Sequence, residues 1–174
     1  MTDLISAATR RGLVVIAIAG FVLFADSVSK AWAIGSLRGA DLVLLPDALE
    51  LTYAENPGVA FSMFAEAPSL VRLGILPALA LSAAFLFFFR GASRSGSSMA
   101  RVGAALVVGG ALGNALDRVR LGHVVDFIHA HAGSYLNYPV FNVADIAVFV
   151  GVALLVIDAS RRRVVSASLP DRAG

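Results

Sequence analysis

Four stretches of this chain are too long and too apolar for a water-facing surface: residues 12–34, 70–89, 99–117 and 139–159. Each is near the ~20 residues a helix needs to cross ~30 Å of hydrocarbon. In lipid an unpaired backbone N–H or C=O has no water to turn to, so an isolated spanning segment must be helical. The expected fold is an all-α membrane protein with four transmembrane helices, forming a single polytopic domain over residues 1–163. Composition agrees: 15% of the residues are charged and 58% hydrophobic, against about 25% charged in a typical soluble domain. With a net charge of only +2, no nucleic-acid partner is expected. The absence of cysteine excludes disulfides, thiolate nucleophiles and Cys-based metal sites.

The basic residues set an orientation. If the chain crosses four times, Arg10, Arg11, Arg90, Arg94, Arg101, Arg161, Arg162, Arg163 and Arg172 fall on one side. Arg38, Arg118 and Arg120 fall on the other. The positive-inside rule then puts both termini in the cytoplasm. A cleavable signal peptide ending near Ala31-Trp32-Ala33 is the competing reading of the first stretch. Asp26, Ser27, Ser29 and Lys30 are out of place in such a peptide, and cleavage would strand one group of arginines on the wrong side.

Between the helices, DLVLLPDALELTYAEN alternates apolar and polar residues around Leu49, Leu51 and Tyr53, which predicts short strands at the membrane surface. Residues 90–98, RGASRSGSS, read as a flexible inner loop. Residues 117–138 form a second outer segment holding all three histidines, and 164–174 read as a disordered cytoplasmic tail.

Placed by depth, the polar residues converge on one side. Asp26 and Lys30 lie in the outer third of the first helix. Asn114, Asp117 and Arg118 lie at the outer end of the third, and Asn142 and Asp145 at the outer start of the fourth. Asn56 and Asp126 sit in the outer loops. Ionisable groups in a membrane usually face a bundle interior or a water-filled cavity, so this gathering argues for one site. Individual pairs also have plainer roles. Asp26–Lys30 at i,i+4 is the favourable direction for a structural ion pair. Asp117-Arg118 fits an ordinary helix end, Asn142 a bridge between helices, and Gly109, Gly110 and Gly113 close helix packing.

Asp126 in HVVDFIHA and Asp145 in FNVAD are the best candidates for a carboxylate pair. Two close carboxylates share a proton, so one can serve as general base and the other as general acid. By spacing alone the pair is a weak signal, and ion binding or packing explains it more readily than catalysis. There is no HExxH, His129 and His131 at i,i+2 have no identifiable partner, and Ser27 or Ser29 with Lys30 makes a poor dyad. No metal and no cofactor are expected.

Several stretches together resemble the lipoprotein signal peptidases (signal peptidase II) of bacteria. They are DSVSKAWA, ENPGVAFSMF, GGALGNALDRVRLGHVVDFI and YPVFNVADIA, in order and at outer helix ends, spanning about residues 12–160. The resemblance implies four transmembrane helices with a small periplasmic sheet, in the bacterial inner membrane, and a metal-free aspartyl endopeptidase. Such enzymes remove the signal peptide of prolipoproteins before a diacylglyceryl-modified cysteine. It implies Asp126 and Asp145 as the catalytic pair. Asn56, Gly58, Asn114, Arg118 and Asn142 become substrate-binding or site-supporting residues, with Asp26 and Lys30 in support. Pro57 departs from the family pattern, where Thr or Ser is common. The loop around Phe61 and Phe64 is expected to close over the scissile bond. The expected partners are the lipidated prolipoprotein and membrane lipid, with the enzyme a monomer. The alternative from another class is a small proton- or ion-coupled transporter subunit using Asp26, Asp117 and Asp145. It is disfavoured because a transporter places its site near the midplane.

Overall fold

The computed structural model describes residues 7–58, 68, 70–71, 97–132 and 135–167. In chain order these form helix α1 (Ala7–Ser36), strands β1 (Leu42–Leu45) and β2 (Leu49–Asn56), helix α2 (Ser98–Leu121), strands β3 (Val124–Ala132) and β4 (Leu136–Asn137), and helix α3 (Val143–Ala167). Among the described residues three helices are long and apolar enough to cross a membrane. The second expected helix, 70–89, falls outside them except for Leu70 and Val71. So does the loop bearing Phe61 and Phe64.

The helices overrun their apolar spans, because hydropathy marks the lipid-facing part and not the ends of the hydrogen-bonded cylinder. α1 starts at Ala7 and α2 continues one turn past Asp117, to a stop at Gly122, whose φ of 82° is the left-handed C-cap conformation. α3 begins at Val143 and not at 139, since Phe141 is engaged with β3. At its far end α3 runs through Arg161–Arg163 to Ala167, so the start of the expected disordered tail is helical. No Gly or Pro interrupts it there. Residues 168–174 lie outside the described residues.

The bundle is sorted by size as a lipid-solvated protein should be. Phe24 and Phe149 are 66% and 76% exposed, whereas Ala33, Ala105 and Ala144 are fully buried. Without a hydrophobic drive between helices, small residues let backbones approach and dispersion does the rest. α2 is the central helix, and its glycines show how close the approach is. A Cβ on Gly109 would stand 2.8 Å from the Ala19 carbonyl oxygen of α1. One on Gly103 would stand 2.8 Å from the Gly151 carbonyl oxygen of α3. At the same end Ser97 caps α2 by accepting from the Ala100 N–H at 3.1 Å, and its hydroxyl donates to Asp158 of α3. Asp158 in turn receives Arg162 Nε at 2.7 Å.

α1 and α2 run toward the sheet and α3 runs away from it. The sheet has the order β1-β2-β3-β4 with every pair antiparallel. The expected surface strands are thus present, and β3 occupies a segment that carried no strand expectation. Phe127 packs with Ala33 and Leu37, against Leu51 and Val143, so the sheet is fixed to the ends of α1 and α3. The β2–β3 register pairs Ala54 with Asp126 and Asn56 with Val124, and slips between Leu51 and Ala54. That places Asn56 diagonal to Asp126, within reach of a side-chain bond.

Gly113 is the sensitive glycine, since a Cβ there would lie 2.5 Å from Asp26 Oδ2. Gly113→Ala is expected to push the Asp26 carboxylate aside at a cost of about 1–3 kcal/mol. Thermal unfolding in detergent should show a lower Tm, with Gly12→Ala, where a Cβ meets nothing within 4 Å, as the unaffected control.

Candidate active site

Where the three helices meet the sheet, the expected polar residues come together. Lys30 of α1 is buried, and its ammonium meets Asp26 Oδ2 at 2.8 Å, Asp117 Oδ2 at 2.9 Å and Asn114 Oδ1 at 2.9 Å. The contact with Asn114 is a hydrogen bond, and those with Asp26 and Asp117 are ion pairs. The second oxygen of Asp26 accepts the Ala144 N–H at 2.9 Å, one of the unpaired donors at the start of α3. The first turn of α3 is further closed by a capping box. Asn142 Oδ1 accepts the Asp145 N–H at 2.9 Å, and Asp145 Oδ2 accepts the Asn142 N–H at 3.2 Å. Asp145 is therefore held by the helix start it stabilises, where the positive end of the helix dipole favours a carboxylate.

Three asparagines then face the two candidate acids, and each has its orientation fixed. Asn114 Oδ1 is taken by Lys30, so its Nδ2 donates to Asp145 Oδ1 at 2.9 Å. Asn142 Oδ1 is taken by the Asp145 N–H, so its Nδ2 donates to Asp126 Oδ1 at 2.6 Å. Asn56 Oδ1 is taken by the Gly58 N–H at 3.0 Å, so its Nδ2 donates to Asp126 Oδ2 at 2.9 Å. Asn142 thus touches both acids, through its backbone N–H on one and its side-chain amide on the other. Arg118 donates to the Asn114 carbonyl at 3.1 Å and to the Gly58 carbonyl at 2.6 Å, tying the chain after β2 to α2.

The nine polar-site residues expected from the sequence lie in this network: Asp26, Lys30, Asn56, Gly58, Asn114, Arg118, Asp126, Asn142 and Asp145. Asp117 belongs with them. It accepts both Lys30 and the Val125 N–H, the latter at 3.1 Å, so it fixes the strand residue next to Asp126. Its i,i+3 spacing from Asn114 was the available signal, but a helix end explained it equally well. Ser29 turns back on its own helix to the Asp26 carbonyl, 2.9 Å away, and Lys30 is fully occupied elsewhere.

Two cations, Lys30 and Arg118, face four carboxylates, Asp26, Asp117, Asp126 and Asp145. Asp126, at the start of β3, is pushed up to about 6, chiefly by burial. The neighbouring Asp145 charge adds to the rise, while hydrogen bonds from Asn56 and Asn142 oppose it. An acid that holds a proton into the neutral range, beside a half-buried second acid, can exchange protons in either direction.

Apolar helices around such a polar centre, covered by a small antiparallel sheet, make a multi-pass membrane enzyme. Two solved structures of bacterial membrane enzymes share the fold. One has a TM-score of 0.74 at 29% identity, covering 92% of this chain and 94% of the other. The second has a TM-score of 0.69 at 32% identity, covering 84% and 92%. A family model described as Signal peptidase (SPase) II matches residues 18–161. The chain belongs to the signal peptidase II family. It is 33% identical to the lipoprotein signal peptidase of Clostridium tetani over 145 residues, covering 83% of this chain and 89% of that protein. It is 40% identical to that of Pseudomonas aeruginosa, covering 82% and 84%, and 40% identical to that of Methylocella silvestris, covering 81% and 82%.

Lys30→Met is expected to strand Asp26 and Asp117 as buried, unpaired carboxylates, at roughly 3–5 kcal/mol. The measurement is folded yield and Tm in detergent. Wild-type values for both would show that the ammonium is dispensable to the bundle.

Proposed function

We propose that Asp126 and Asp145 are the aspartyl pair with which this lipoprotein signal peptidase hydrolyses its substrate. As a member of its family the chain removes signal peptides from prolipoproteins. Family membership gives the transporter alternative no support. The observation that carries the aspartyl assignment is Asn142, bonded to both carboxylates at once.

In the proposed reaction the ionised acid takes a proton from water as the water oxygen bonds to the scissile carbonyl carbon. The protonated acid gives its proton to the carbonyl oxygen. The tetrahedral intermediate then collapses: the C–N bond breaks, the leaving amine takes a proton from the acid that gained one from water, and the diol proton returns to the pair. One shared proton is thus restored at the end. Asn56, Asn114 and Asn142 aim N–H groups at the acids, and Asp26 and Lys30 support them from behind. Arg118, whose Nε has no partner among the described residues, holds Gly58 beside Asp126.

The remaining features belong to the same reading. The scissile bond precedes a diacylglyceryl cysteine, and the lipid-bearing substrate arrives through the bilayer. Residues 1–163 form one membrane domain, monomeric, in the bacterial inner membrane with both termini cytoplasmic and the site at the outer interface. The distribution of arginines and the location of the whole polar network at the sheet end support this placement.

Asp126→Asn and Asp145→Asn are each expected to lower kcat roughly 10²–10⁴-fold while the protein still folds. A gel-shift assay with purified protein and a diacylglyceryl-modified prolipoprotein, beside the unlipidated precursor, reads this out. Full cleavage by either variant would remove the pair from the mechanism, and equal cleavage of both precursors would remove the lipid requirement. The pH profile follows from the same chemistry. The shared proton is present below the upper apparent pKa of the pair and lost above it, so kcat/KM is expected to fall as pH rises past about 6. Substrate covering the acids excludes more water, so the corresponding limb of kcat is expected at higher pH. A kcat/KM that stays flat up to pH ~8 would contradict a proton shared by the pair.

A further inference from the structure

The three histidines are not used by the peptidase site, and two of them gain a partner that the sequence does not reveal. The β2–β3 register sets Glu50 directly opposite His129. His131 follows two residues later on β3, its ring centroid 5.0 Å from that of His129. One ligand atom from each of Glu50, His129 and His131 lies within 4.8 Å of the other two. None of the three is fully exposed. Asp126 begins this stretch of β3 and His129 is three residues on, about 10 Å away at ~3.3 Å per residue. The cluster is therefore separate from the aspartyl pair.

Both ring nitrogens of His129 face oxygen atoms. Its Nδ1 lies 2.7 Å from Glu50 Oε1, and its Nε2 lies 2.6 Å from Asn137 Oδ1 of β4. A neutral imidazole has one donor and one acceptor nitrogen. With Nε2–H donated to Asn137, the Nδ1 lone pair faces Glu50, and a metal ion can bridge the two. The backbone is already braced for it: His131 N–H donates to the Ala48 carbonyl at 2.9 Å, and Glu50 and His129 sit on hydrogen-bonded neighbouring strands. Ligands carried on strands are held better than ligands on loops.

We propose that Glu50, His129 and His131 form a binding site for a divalent transition metal, zinc above all, at the end of the sheet remote from the aspartyl pair. Two imidazoles and one carboxylate are a zinc ligand set that leaves a fourth tetrahedral position for water. Imidazole nitrogen selects zinc, nickel or copper over magnesium or calcium. The site clips β2 to β3, the two strands that carry Asn56 and Asp126. Its effect is to stiffen the sheet; the metal takes no part in hydrolysis.

The test uses the full-length protein in detergent, freed of any histidine tag and stripped with chelator. Co²⁺ is titrated while visible d–d absorption is followed, and Zn²⁺ is then used to displace it. One equivalent is expected to bind, with tetrahedral absorption and a raised Tm. Affinity should fall at least about tenfold in both Glu50→Gln and His131→Ala and weaken as pH falls through the histidine range. Asp126→Asn and Asp145→Asn are expected to bind as wild type does. Absence of one-to-one binding by wild-type protein overturns the proposal whether or not the variants fold. Undiminished binding by both ligand variants overturns it too, as does loss of binding in either aspartate variant, which would place the metal at the pair.

Discussion

The ammonium of Lys30 is the interaction on which the rest of the site depends. It is buried where lipid offers no hydrogen bonds, so it must find all its acceptors within the protein, and it draws them from two helices. By occupying the oxygen of Asn114 it leaves that amide only its nitrogen to offer Asp145. By pairing with one oxygen of Asp26 it positions the other against the first turn of α3. By holding Asp117 it holds the N–H next to Asp126. A single cation, itself bonded to neither acid, thus helps orient both Asp126 and Asp145.

Much of this was legible in the sequence because lipid makes polar residues conspicuous. A lone Asp or Asn in an apolar helix needs a reason, and Asp26, Asn114, Asn142 and Asp145 each announced one. Their convergence followed from counting depth along helices of fixed rise. What could not be read is how the amides divide their two ends. Asn142 appeared as a site-supporting residue or a bridge between helices, and its capping box with Asp145 depends on the helix starting four residues later than hydropathy suggests. That start is set by Phe141 pairing with Ile128 across a sheet edge. β3 itself was hidden because Val124, Val125, Asp126 and Phe127 are all buried, which removes the alternation that marks a half-exposed strand. The partnership of Glu50 with His129 spans nearly half the chain and rests on a register slip that no local pattern encodes.

The division between large outer and small inner residues has an energetic reading of its own. Close packing of α2 on both neighbours allows few of the large side chains that fill the cores of soluble proteins. Cohesion there rests on backbone contact at Gly103, Gly109 and Gly151, with polar stitching at each end of the bundle: Lys30 at the sheet, Ser97 and Asp158 at the other. The two stitches differ in kind. The one at the sheet is sealed and highly charged, whereas Asp158 shares its charge with the half-exposed Arg162.

The bond from Asp26 to the Ala144 N–H joins the first described helix to the last described one. Until α3 enters the bilayer, Asp26 has no helix start to cap, and Asn142 and Asp145 have no fixed geometry. A nascent chain with its earlier helices already inserted therefore holds one acid without the other. On the proposed mechanism, competence for proteolysis arrives only with the insertion of α3.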